Sequence, residues 1–188
     1  MKRVAVFCGS SAGFDPVFRS HAEQLGFQLA DRGMEVVYGG GKVGLMGYLA
    51  DAALASGGRV IGVIPHFLRI KEVAHQGLTE MIILPDMHQR KAKIHAMADG
   101  FIALPGGYGT LDEFFEALTW AQLGLHPKPV GLLNIKGFFL PIIQALDRMV
   151  EEGFLRKENR EILQVSEDSV DLLNRMLDYK AFEVPKWL

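Results

Sequence analysis

Six short apolar runs that do not alternate place the tightest limit on how this chain folds. They are Val4–Cys8, Val36–Tyr38, Val60–Ile64, Met81–Leu84, Phe101–Leu104 and Val130–Leu133, rich in Val, Ile and Phe. A strand with one wet face alternates apolar and polar residues. Continuous apolar runs of this length fit strands buried on both faces, and so a sheet that is mainly parallel. Helical patterns separate them. Phe18 to Arg32 puts Phe18, Ala22, Leu25 and Leu29 on one face; Gly44 to Ser56, Met87 to Ala98, Leu111 to Leu123 and Phe138 to Glu152 follow. Strand–helix alternation predicts an α/β, three-layer Rossmann-like fold, a mainly parallel sheet flanked by helices with right-handed crossovers. A short run at Ile162–Val165 and a helix from about Val170 to Tyr179 complete a single domain over residues 1–188.

Composition narrows the function classes. The chain is 49% hydrophobic and carries a net charge of -2. That balance argues against broad nucleic-acid binding but leaves room for a local phosphate pocket. One cysteine, Cys8, excludes an internal disulfide framework and points to a reducing, cytoplasmic setting. The apolar start, Val4–Cys8, is short and runs into glycine and serine, so it reads as a first strand rather than a leader. No run approaches the roughly 20 apolar residues of a membrane span. The six histidines show no metal-ligand spacing, and no metal site is expected.

A fold of this kind places its site in the loops at the carboxyl ends of the strands. Three such loops are glycine-rich. Cys8-Gly-Ser-Ser-Ala-Gly13 brings Gly9 and Ser10, with backbone and hydroxyl donors. Gly39-Gly-Gly-Lys-Val-Gly-Leu-Met-Gly47 satisfies G-x-G-x-x-G and offers Gly40, Gly41, Gly44 and Met46 to a nucleotide. The strand after it, however, ends in Pro65-His66, without the ribose-binding acid of a nicotinamide site, and no G-K-[ST] marks a P-loop. Leu104-Pro-Gly-Gly-Tyr-Gly-Thr110 then leads into a helix. The amides of Gly106, Gly107, Tyr108, Gly109 and Thr110 can face an anion there. Thr110-Leu-Asp-Glu113 also fits a capping box, in which Glu113 reaches back to the Thr110 amide and both acids serve only the helix. Capping and catalysis both remain open for Glu113. Asp86 reads as the N-cap of another helix, whose first turns carry Arg90, Lys91 and Lys93 at the end where cations are unfavourable without an anionic partner.

Together these residues carry a family resemblance. Met87-His-Gln-Arg-Lys91, Pro105-Gly-Gly-Tyr-Gly-Thr-Leu-Asp-Glu113 and Thr119-Trp-Ala-Gln-Leu-Gly124, with the two earlier glycine loops, resemble the LOG ("Lonely Guy") family. The similarity runs from about Lys2 to Leu173. The resemblance implies a cytokinin riboside 5′-monophosphate phosphoribohydrolase. Such an enzyme cleaves the N-glycosidic bond of an N6-substituted adenosine monophosphate, and possible action on AMP follows from the same chemistry. It implies Arg90 and Glu113 as the catalytic pair. It further implies substrate contacts from Arg90, Lys91, the stretch Gly107, Tyr108, Gly109, Thr110, Leu111, Asp112, Glu113, a glutamate matching Glu72 and a threonine matching Thr119. A homodimer, no cofactor and no nucleic-acid or membrane partner complete the expectation. Ribosyl cleavage builds positive charge on the sugar, which a carboxylate can stabilise. Arg90 is then left to fix Glu113, bind phosphate or assist the departing base. The rival readings are a non-catalytic nucleotide or cofactor carrier, a pyridoxal-dependent lysine decarboxylase and a nicotinamide enzyme.

Overall fold

The computed structural model describes residues 1–71 and 74–181. Among the described residues seven strands form one sheet in the order β4-β3-β2-β1-β5-β6-β7. They are β1 (Arg3–Phe7), β2 (Glu35–Tyr38), β3 (Val60–Pro65), β4 (Glu80–Leu84), β5 (Gly100–Ala103), β6 (Val130–Leu133) and β7 (Leu163–Ser166). Every neighbouring pair is parallel. The single antiparallel contact among the described residues is an isolated bridge between Gly41 and Ala74.

The helices are α1 (Pro16–Asp31), α2 (Gly44–Ala55), α3 (His66–Lys71), α4 (Met87–Met97), α5 (Tyr108–Gln122), α6 (Leu140–Glu151), α7 (Lys157–Arg160) and α8 (Ser169–Asp178). Strand pleating divides the core. Val4, Val6, Val36 and Tyr38 face α1, α2 and α8; Ala5, Phe7, Val37 and Phe101 face α4, α5 and α6. The central strands are therefore dry on both sides, as their unbroken apolar runs require, whereas the edge strand β4 stays partly open, with Ile83 40% exposed. On the first side α1 and α2 pack backbone to backbone, since a Cβ at Gly26 would collide with the Leu49 carbonyl.

The topology positions the site. After β1 the chain moves outward on one side of the sheet through β2, β3 and β4, then returns to lay β5 beside β1. The loops after β1 and β5 lead to helices on opposite faces, which opens a crevice at this switch point. The two loops are tied where they leave the sheet: Leu104 N donates to Phe7 O (2.9 Å) and Gly9 N to Pro105 O (3.0 Å). No helix of the described residues is long and apolar enough to cross a membrane.

Candidate active site

The three glycine loops converge by packing on one another. Gly44 has φ +63°, and a Cβ there would strike the Ser10 backbone; a Cβ at Gly106 would strike the Thr110 hydroxyl. These glycines let the loops touch. Gly107 and Gly109 differ, because nothing lies within 4 Å of where their Cβ atoms would be. Free space in front of a backbone is where a ligand can approach it.

Helix α5 begins at Tyr108 with Gly107 as its N-cap, and no side chain caps it. The capping box at Thr110 is thereby corrected: Thr110 lies in the first turn, buried against Gly106, and Glu113 is one turn inside the helix. The first amides of α5 are left open to an anion. The other proposed cap is present. Asp86 accepts from Gln89 N (2.8 Å), and the Gln89 amide returns to the other Asp86 oxygen (2.9 Å).

Glu113 is free of capping duty because Arg90 takes it. Arg90 is buried in α4, donates Nε to the Val63 carbonyl (3.0 Å) and donates Nη1 to Glu113 Oε1. Two of its nitrogens are thus fixed by the end of β3 and by α5. Gly39 makes room for the guanidinium, since a Cβ there would lie 2.8 Å from Nη2. Burial pushes the Glu113 carboxyl above the usual carboxylate range, against the pull of the Arg90 and Lys91 cations. Burial, with the nearby Glu113 charge, also raises the Cys8 thiol, so Cys8 faces the site as a neutral thiol.

A cavity of about 340 Å³ joins these groups. It gathers Gly9, Ser10, Met46, Arg90, Gly107, Tyr108, Gly109, Thr110, Asp112 and Glu113 from the residues singled out in the sequence. A second cavity of about 330 Å³ shares Gly9, Ser10 and Gly107 with it, includes Gly106, and has Phe18, Leu45 and Phe138 as its apolar wall. The other expected contacts lie elsewhere. Gly40 packs on Met81 and Gly41 pairs with Ala74, because that part of the loop serves the β3–β4 side. Leu111 packs into the core beneath α5. Lys91 Nζ is held by Asp112 Oδ2 (3.1 Å) and Glu116 Oε1 (3.1 Å), outside the cavity lining. Thr119 faces outward three turns along α5, on a separate apolar groove of about 200 Å³, and its hydroxyl bonds back to Phe115 O (2.7 Å). Glu72 lies outside the described residues.

Sequence reading missed Cys8, Leu68 and Met87 as lining residues. Cys8 and Met87 had a usable signal, a place at the end of a strand run and at the start of a helix on the site side. Leu68 had none, because six-residue α3 is too short to show a period.

The pattern of a family described as possible lysine decarboxylase matches residues 46–176. Among relatives, the cytokinin riboside 5′-monophosphate phosphoribohydrolase LOG1 of Arabidopsis thaliana is 46% identical over 178 residues, 95% of this chain and 84% of the relative. Its paralogue LOG7 is 46% identical over 95% of this chain and 82% of its own length. The probable enzyme LOGL1 of Oryza sativa subsp. japonica is 48% identical over 94% and 79%. Among solved structures, a molybdenum cofactor binding protein from Rippkaea orientalis superposes with a TM-score of 0.68 at 22% identity, covering 95% of this chain and 97% of that one. The molybdenum cofactor carrier protein of Chlamydomonas reinhardtii gives 0.70 at 20%, covering 94% and 98%. At such identity these two speak for the fold alone.

Proposed function

The chain belongs to the family of the cytokinin riboside 5′-monophosphate phosphoribohydrolases, and we propose that it hydrolyses N6-substituted adenosine 5′-monophosphates. Water adds to C1′, the C1′–N9 bond breaks with its electron pair leaving on the base, and the base gains a proton. Free base and ribose 5-phosphate result. The observation that carries this reading is the buried Arg90–Glu113 pair on the same cavity as the uncapped start of α5.

A nucleoside monophosphate can lie along that cavity with its phosphate at the start of α5 and its ribose at the Arg90–Glu113 pair. The 5′-phosphate meets the open amides of Gly107 to Thr110, where the helix dipole favours negative charge. Glu113, farther into the same helix, faces the ribose and stabilises the positive charge that develops at C1′. Arg90 orients the carboxylate, being committed to Val63 O and Glu113 at once. The phosphate's binding energy, realised away from C1′, holds the sugar in place for attack. The adjoining apolar wall of Phe18, Leu45 and Phe138 supports a base with an N6 substituent in preference to plain adenine.

The pyridoxal reading needs a lysine with a free amine. Lys91 is unsuited, since burial tends to lower its pKa but Glu116 and Asp112 outweigh that and hold the ammonium protonated. A homodimer is supported by the unfilled groove of Phe115, Leu118, Met149 and Leu155, which a second copy would cover. A buried free Cys8 suits a reducing cytoplasm. Chromatography of N6-isopentenyladenosine 5′-monophosphate after incubation tests the activity. Free base and ribose 5-phosphate are expected, with far slower release from the unphosphorylated nucleoside. Tight binding of the monophosphate without product would instead make the protein a carrier.

A further inference from the structure

Consecutive cations on α4 meet consecutive acids on α5. Arg90 pairs with Glu113, and Lys91 is shared by Asp112 and Glu116. Glu116 spans more of this contact than any of the others. Its Oε1 is 3.1 Å from Lys91 Nζ, and its Oε2 is 3.4 Å from His95 Nε2. Lys91 and His95 are one helical turn apart, so one carboxylate of α5 spans a full turn of α4. Its side chain is 22% exposed, against 59% for Asp112, which makes it the partner less screened by solvent. His95 is buried, wedged between Phe101 (4.8 Å between ring centroids) and Trp120 (4.3 Å), while Lys128 donates to its carbonyl (2.6 Å). His95 Nε2 and Glu116 Oε2 are both buried without a hydrogen bond among the described residues, and at 3.4 Å a small shift pairs them.

We propose that Glu116 is a positioning residue for the hydrolysis: by clamping Lys91 and His95 it sets the register of α4 against α5 that brings Arg90 onto Glu113. This rests on the functional reading above. Glu116 also neutralises Lys91, whose positive field reaches Glu113 along with that of Arg90 and against that of Asp112. Losing the Glu116 charge leaves Lys91 less compensated, and the carboxylate form of Glu113 becomes easier to reach. The groups facing Glu116 are Lys91 and His95 from α4, with Lys128 behind His95, and Asp112 and Glu113 from its own helix.

The test is steady-state kinetics of the full chain on N6-isopentenyladenosine 5′-monophosphate across pH, for wild type, Glu116→Gln, Glu116→Asp and Glu116→Ala, with a thermal melt of each. Glu116→Gln keeps the shape of the side chain and so serves if Glu116→Ala does not fold. Expected for Glu116→Gln is a kcat about 10-fold lower, KM within twofold, and the acid limb of the rate profile moved to lower pH. Glu116→Asp restores the limb toward its wild-type position. Unchanged kcat and an unmoved limb in Glu116→Gln overturn the proposal. So does a loss confined to the melting temperature, or to KM. If wild type itself yields no free base, the functional reading fails; wild-type turnover with an indifferent Glu116→Gln sinks only the role of Glu116.

Discussion

Glu113 is held by a guanidinium that is itself held by a strand carbonyl, and this chain of contacts separates its electrostatics from its chemistry. Burial raises the carboxyl, so ionising it inside the protein is harder than in the unfolded chain. A catalytic carboxylate must be ionised. The rate is therefore expected to fall as pH drops through that raised value, with an acid limb of kcat/KM above the ordinary glutamate range. A limb at or below about 4.3, the model-peptide value, contradicts the assignment. Gly39→Ala probes the other half of the pair. Its methyl lands 2.8 Å from Arg90 Nη2, so the guanidinium that holds Glu113 has to shift. Activity is expected to drop about 10-fold or more while circular dichroism still reports a folded protein; wild-type kcat/KM would show that Arg90 need not hold this position. At this scale the sequence was informative about identity and silent about partners. Arg90, Glu113 and the glycines stand out as residue types, but nothing near them in sequence announces that Val63 O anchors Arg90, or that Glu116 and not phosphate engages Lys91. Those are contacts across 27 and 25 residues of chain.

Among the elements, strands and long helices were legible because their periods are set by burial, and β1 to β7 fall on the apolar runs within a residue or two. Helices α3 and α7, of six and four residues, were not legible because neither completes two turns. The start of α5 was misplaced by three residues for a different reason. A T-x-x-E pattern normally caps locally, but here an ion pair with α4 outcompetes the cap, and the helix begins on glycine instead. An uncapped helix start is a testable device. Gly107 has φ -97° and open space around its Cβ position, so an aspartate fits there. Gly107→Asp is expected to leave the melting temperature unchanged or slightly higher, since it caps α5, and to raise KM for the monophosphate about 10-fold by occupying the amides meant for phosphate. An unchanged KM would move the phosphate elsewhere. The loop after β6 carries a second prediction. Phe138 edges onto Phe18 (5.9 Å between centroids) to wall the adjoining cavity. Phe138→Ala should reduce kcat/KM for N6-isopentenyladenosine 5′-monophosphate more than for AMP, and an equal loss on both substrates argues against that wall as the base-side pocket.

For the molecule as a whole, a doubly covered parallel sheet fixes where the crevice opens, and the order β4-β3-β2-β1-β5-β6-β7 puts it between the loops after β1 and β5. The strand runs made the sheet readable; its order was not, because order depends on which crossovers return past β1. The same core hides a pH-dependent contribution to stability. His95 and His126 are buried close together, and burial, reinforced by Lys128, holds each down to about 4. Both are neutral when folded and take up protons more readily when unfolded. Their contribution is therefore complete above the unfolded value near 6.5 and is lost as pH falls from there toward 4. The ceiling is about 3 kcal/mol for each, from a shift of that size. Urea unfolding at pH 7.5 and pH 5 should show a marked loss of stability at the lower pH, reduced in His126→Gln; equal stability at both would mean these rings are hydrated. Activity depends on the crevice, and the most direct test lies there. Glu113→Gln preserves the shape of the side chain and removes the charge that has to face the ribose. Single-turnover release of free base from N6-isopentenyladenosine 5′-monophosphate, at pH 7.5 with enzyme in excess, should slow by about 10²- to 10⁴-fold relative to wild type, with circular dichroism still reporting a folded protein. Release at a near-normal rate would contradict the central role given to this carboxylate.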